Sequence, residues 1–119
     1  MKKIILAVDD MPEALASINA ALKEIYDIRC VTDVKSARAA LETITPSLLL
    51  LDIEMPGVSG LEFLDELQHN EKFKNIPVVF LTANSEDKTS QKAVRKGAKG
   101  YIIKPFTPEI LRESVAFFS

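Results

Sequence analysis

The chain has 119 residues, 47% of them apolar and 27% charged, with a formal net charge of −2. That length suits one domain around one buried core and is too short for two. The small acidic excess argues against nucleic-acid binding through bulk positive charge, and no apolar run approaches the ~20 residues of a membrane span.

In chain order, short apolar runs alternate with amphipathic ones. Lys3 to Val8 is rich in Ile, Leu and Val and is closed by Asp9-Asp10, so Met1-Lys2-Lys3 does not lead into a signal peptide. Leu15, Ile18, Leu22 and Ile25 then fall on one helical stripe behind Pro12, a residue suited to a first helical position. Ile28 to Val31 is shorter and flanked by charge, as an edge strand would be. Within it, Cys30 has no second cysteine to pair with, so a reducing cytoplasm is the expected compartment; the side chain itself reads as a small buried apolar group. Val34, Ala37, Leu41 and Ile44 form a second helical stripe.

Leu48 to Leu51 repeats the first strand's design and is closed by Asp52. Met55-Pro56-Gly57 is turn chemistry. Ser59-Gly60-Leu61-Glu62 reads as a capping box opening a third helix, with Phe63, Leu64 and Leu67 facing inward and His69 solvated near its end. Val78 to Leu81 follows Pro77 and is closed by Thr82. Ser85 caps a fourth helix, from about Glu86 to Lys96, that Gly97 ends. Its cations Lys88, Lys92, Arg95, Lys96 and Lys99 read as a solvated face. Tyr101 to Ile103 is closed by Lys104, and Thr107-Pro108-Glu109 opens a fifth helix carrying Ile110, Leu111, Val115 and Phe118.

Strands that are apolar throughout are those buried on both faces of a parallel sheet. The pattern is therefore (βα)₅: one α/β domain over residues 1–119, a doubly wound five-stranded parallel sheet in the flavodoxin-like order 2-1-3-4-5. Chemistry in such sheets collects beyond the carboxyl ends of the strands. Here those positions hold Asp9, Asp10, Asp52, Thr82 and Lys104, which all land on one edge. Clustered carboxylates repel unless a proton or a cation intervenes, and hard oxygen donors suit Mg²⁺. With no Cys/His cluster, zinc is not expected. A carboxylate also serves as a nucleophile that forms an aspartyl phosphate; Lys104 offers positive charge and Thr82 a hydroxyl to the phosphoryl oxygens.

Five segments carry a family resemblance: Asp9-Asp10, Asp52-Ile53-Glu54-Met55-Pro56-Gly57, Leu81-Thr82-Ala83, Gly97-Ala98-Lys99-Gly100-Tyr101 and Lys104-Pro105-Phe106. In order and spacing, over the whole chain, they resemble the response-regulator receiver domains of two-component phosphorelays, the CheY-like superfamily. The resemblance implies a phosphoprotein that is not an enzyme with a separate substrate. It takes a phosphoryl group from a histidine kinase or a histidine phosphotransfer protein onto Asp52 and catalyses its own phosphorylation and dephosphorylation. It implies Mg²⁺ held by Asp10 directly, by Asp9 largely through water, by Asp52 and by the Glu54 backbone carbonyl. Lys104 would bind a phosphoryl oxygen and tie Asp52 at rest, and the Ala83 amide would assist. Thr82 would move toward the phosphoryl group and Tyr101 would turn inward, altering the face of helix four, strand five and helix five. Lys104-Pro105 is a candidate cis bond. Glu54 and Asn84, two residues beyond Asp52 and Thr82, would tune the phosphoryl lifetime through the route of water.

The resemblance also implies docking of the phosphodonor near helix one and the loop after strand five, with Ala14, Leu15, Phe106 and Pro108 as candidate contacts. A downstream output domain or partner protein would read the signal, without direct nucleic-acid or membrane binding by this domain. Dimerisation on phosphorylation is common in the family. The chain is expected to be a stand-alone receiver or, somewhat favoured, the amino-terminal part of a longer regulator. Three other readings compete. An aspartyl-nucleophile phosphatase would carry Asp-x-Asp after its first strand, whereas Asp52-Ile53-Glu54 follows the third. A degenerate receiver would lack an acid, the Thr or the Lys. A flavodoxin would carry a phosphate loop where Asp9-Asp10-Met11-Pro12 stands.

Overall fold

A computed structural model describes residues 1–83 and 88–119, with the backbone alone for 88–90. Five strands, β1 (Ile4–Val8), β2 (Asp27–Val31), β3 (Leu48–Asp52), β4 (Val78–Thr82) and β5 (Gly100–Ile103), pair in parallel in the order β2-β1-β3-β4-β5. They alternate with α1 (Pro12–Leu22), α2 (Val34–Leu41), α3 (Gly60–Gln68), α4 (Lys88–Arg95) and α5 (Pro108–Phe118). The expected architecture and strand order are both present. The Ser85 cap and the helical start at Glu86 lie outside the described residues.

Strands β3 and β4 are buried at every position, which explains why neither alternates in sequence. Two apolar layers cover the sheet. Leu6, Leu49, Leu51 and Phe80 meet α2, α3 and α4 through Ala37, Phe63, Leu64 and Ala93 on one face. Ile5, Leu50, Val79 and Leu81 meet α1 and α5 through Ile18, Leu22, Leu111 and Val115 on the other. Among the described residues no helix is long and apolar enough to cross a membrane.

Local chemistry sets the helix ends. Ser59 and Glu62 form the reciprocal capping box at the start of α3, and Thr107 Oγ1 accepts the Ile110 amide at the start of α5. Asp33, a cap that the apolar pattern does not announce, closes the start of α2 by accepting the Ser36 amide at 2.6 Å. Gly97 has φ +116, and the Gly97 and Ala98 amides donate to the carbonyls of Val94 and Ala93, a Schellman closure of α4.

Burial departs from the apolar pattern at three positions. Cys30 is exposed, because β2 is an edge strand with neighbours on one side only. Ile25 is 50% exposed, since α1 ends at Leu22 and the stripe loses its helical phase there. Ile110 is 52% exposed, while Leu111 and Val115 define the inward face of α5.

Strand register aligns the carboxyl ends. Val8 pairs with Leu51, Asp52 with Leu81, and Thr82 with Ile103. The closing residues of β1, β3, β4 and β5 therefore emerge at one edge. Gly60 lets α3 begin directly against that edge: its amide donates to the Ile53 carbonyl at 3.0 Å. A Cβ there would collide with the Asp52 carbonyl oxygen and lie 2.8 Å from Phe80 Cε1. Gly60→Ala is accordingly expected to cost about 3 kcal/mol in denaturant unfolding, because backbone and a buried ring must both give way.

Candidate functional site

The residues that close four of the strands converge. Asp9 is fully buried; its Oδ1 accepts the Met11 amide at 2.9 Å, and its Oδ2 accepts from Lys104 Nζ at 2.6 Å. Asp52 is 6% exposed and its Oδ1 accepts the Glu54 amide at 3.2 Å. Asp10 is half-buried, and one oxygen from each of Asp9, Asp10 and Asp52 lies within 4.8 Å of the others. Lys104 Nζ stands 3.7 Å from Asp52 Oδ2. It is steered there by its own amide, which donates to the Thr82 carbonyl at 2.7 Å, and it precedes a cis bond to Pro105.

Lys104 thus pairs with both carboxylates, and more closely with Asp9 than with Asp52. The electrostatics give the reason. A wholly buried carboxylate requires a partner, and Asp9 has no other cation among the described residues. Asp52 needs one less, because burial, then the Asp9 charge, push its carboxyl up to about 7; Lys104 and the Glu54 amide pull the other way without prevailing. The donor set, three carboxylates with one cation among them, is what a small hard divalent ion fits.

A cavity of about 140 Å³ opens beside Asp52, lined also by Glu54, Thr82, Ala83 and Lys104. Thr82 is buried at the end of β4, and Tyr101 is half-buried in β5 against the layer under α2–α4. Asn84 lies outside the described residues.

Comparison with known proteins adds the decisive observation: the profile of the response regulator receiver domain matches residues 5–116. The chain belongs to that family. This receiver domain is 36% identical over 115 residues to the phosphate regulon transcriptional regulatory protein PhoB of Pseudomonas aeruginosa, covering 96% of this chain and 49% of PhoB. It is 36% identical over 111 residues to a probable cyclic di-GMP phosphodiesterase of Vibrio cholerae, covering 93% of this chain and 25% of that protein. The chain thus spans about half or less of these curated relatives. Among solved structures, the chemotaxis response regulator CheY4 of Vibrio cholerae superposes with a TM-score of 0.92 at 25% identity, covering all of both chains.

As a receiver domain the chain is a phosphoacceptor module of two-component signalling. Four of the motif residues, Asp9, Asp10, Asp52 and Lys104, meet as the sequence predicts, and Thr82 and Ala83 line the same cavity. Among the expected docking contacts Leu15 is displaced: it is 8% exposed and belongs to the core. Ala14 and Phe106 instead line an open cavity of about 440 Å³ together with Glu13 and Ser17.

The raised Asp52 carboxyl has a stability consequence. Between about pH 4 and pH 7 the folded chain holds a proton that the unfolded chain releases. Folding is therefore favoured most below that window and loses this contribution as pH rises through about 7. Without divalent cations, the unfolding midpoint is expected to fall by several degrees across the window, and Asp52→Asn to flatten that slope. Thermal unfolding in chelator-treated buffer checks both.

Proposed function

We propose that Asp52 is the phosphoacceptor and that the acidic cluster beside it holds Mg²⁺. The carrying observation is the placement of Asp52: a buried carboxyl at the mouth of a cavity that Thr82, Ala83 and Lys104 also line. In the reaction the P–N bond to a partner's histidine breaks as a P–O bond to Asp52 forms, and the departing imidazole takes up a proton. Hydrolysis returns the carboxylate and releases phosphate. Phosphoryl transfer asks a protein mainly for alignment and for charge on the equatorial oxygens.

Lys104 Nζ, 3.7 Å from Asp52 Oδ2, is within reach of a phosphoryl oxygen carried there. The Thr82 hydroxyl and the Ala83 amide serve as further donors from the cavity wall. Asp10 and Asp52 would hold the ion directly, with the Glu54 carbonyl. Asp9, whose two oxygens already accept from Met11 and Lys104, would act largely through water. Bound Mg²⁺ supplies charge neutralisation between the carboxylates and the transferring group. Burial first, and the Asp9 charge second, raise the Asp52 carboxyl to about 7, so added positive charge would favour its ionised, nucleophilic form.

The cavity lined by Ala14 and Phe106 adjoins the site through Ala83 and Lys104, which supports docking of the phosphodonor against α1 and the loop after β5. Once phosphorylated, Thr82 and Lys104 would gain a charged acceptor, and Tyr101, which pairs with Phe80 in the neighbouring strand, would shift to change the face of α4, β5 and α5.

Uptake from a small acyl-phosphate or phosphoramidate donor with Mg²⁺ tests the assignment. Asp52→Asn should lower the rate by at least about a hundredfold while leaving the fold intact; uptake at the unsubstituted rate would refute the acceptor. In the same assay Glu54→Met should slow the loss of phosphoryl about threefold or more, because the exposed carboxylate that can hold water beside the cavity is gone.

A further inference from the structure

The charge on this chain is unevenly spread. Residues 88–99 carry five Lys or Arg and no Asp or Glu, leaving ten basic and seventeen acidic residues elsewhere, a net of −7. At about 100° per residue, Lys92, Arg95 and Lys96 fall in one arc of about 100° on α4, the Lys96 amide still donating to the Lys92 carbonyl. The buried Ala93 separates this arc from Val94, so the cations occupy one flank and the exposed apolar side chain the other. Lys92, Arg95, Lys96 and Lys99 are all exposed, and none forms an ion pair among the described residues. Elsewhere on the chain Arg29 pairs with Asp27, Arg38 with Glu66 and Lys72 with Glu42, while the exposed Lys2, Lys3, Lys23 and Lys35 form no ion pair among the described residues but are not gathered on one helix face.

A second feature adjoins the first. Below Gly97, at the sheet edge opposite the aspartates, lies a pit of about 150 Å³. Lys99, Lys74, Gln68 and Asn75 supply its polar wall, and Leu67 and Phe73 an apolar one. The Gln68 amide stands where a side chain on Gly97 would be. Such a pit suits the methylenes of an acidic side chain against the apolar wall and its carboxylate toward Lys99, Lys74 being already paired with Glu71 at 2.7 Å. It is too small for a nucleotide.

We propose that the cationic flank of α4, together with this pit, docks an acidic polypeptide segment of a partner protein. Charge complementarity selects the occupant. A short acidic segment matches a patch confined to the length of α4, whereas a longer polyanion such as DNA would run onto a surface of net −7. The site is separate from the aspartate cluster; it rests on the receiver reading only for the existence of a protein partner.

Fluorescence anisotropy with a labelled oligoglutamate peptide, alongside a labelled DNA duplex of similar charge, tests this on the whole chain. The peptide should bind saturably, more weakly as salt rises. Arg95→Glu with Lys96→Glu should weaken binding by about tenfold or more, and Lys99→Glu by about fivefold, each about 1 kcal/mol or more. Lys3→Glu with Lys35→Glu, exposed and equal in charge change, should leave the affinity within about twofold. Asp52→Asn should abolish phosphoryl uptake yet leave peptide binding unchanged, so failure of one reading is distinguishable from failure of the other. Absence of saturable binding, tighter binding of the duplex, or equal loss in the Lys3/Lys35 variant would each overturn the proposal.

Discussion

Among the described residues three carboxylates share one corner of this molecule with a single lysine, and the resulting imbalance of charge governs the rest. Asp9 takes Lys104 because a fully buried carboxylate without a counter-charge is far more costly than a partly solvated one. Asp52, buried and then facing the Asp9 charge, holds its proton up to about pH 7. A site in that condition favours anything that brings positive charge, whether proton or divalent cation. The same lack of compensation that destabilises the corner suits it to ion binding and phosphoryl chemistry.

The sheet exists, in functional terms, to impose that crowding. Strands β1 and β3 are adjacent and in register, so Asp9 and Asp52 cannot separate without breaking the ladder between Val8 and Leu51. β4 and β5 are bound the same way, which carries Thr82 and Lys104 to the same edge. Apolar layers on both faces, with Leu50 and Leu51 wholly buried, make the ladder too costly to distort for the relief of one charged corner. Where α3 begins, only the missing side chain of Gly60 admits the helix so close to the Asp52 carbonyl. Hydrophobic burial thus holds a polar strain in place.

Most of this was legible in the sequence for a simple reason. Uninterrupted apolar strands ending in Asp or Lys announce both a two-sided sheet and the edge at which its chemistry gathers, so the fold, its strand order and the meeting of Asp9, Asp10, Asp52 and Lys104 could be read directly. What could not be read depends on depth and distance. Cys30 is apolar enough for a core, yet edge position exposes it. Leu15 lies in the right helix for docking, but its stripe turns it inward. Whether Lys104 favours Asp9 or Asp52 is a difference of about an ångström between two carboxylates, set by relative burial rather than by residue type.

The account stands or falls on which carboxyl group becomes the acyl phosphate. Borohydride reduces an acyl phosphate to the alcohol, so brief phosphorylation with Mg²⁺ followed by reduction and peptide mass spectrometry marks the acceptor as homoserine. The crowded-edge account predicts homoserine at position 52 alone, and none when Mg²⁺ is removed by chelation. Homoserine at position 9 or 10, or label on a residue away from this edge, would contradict it.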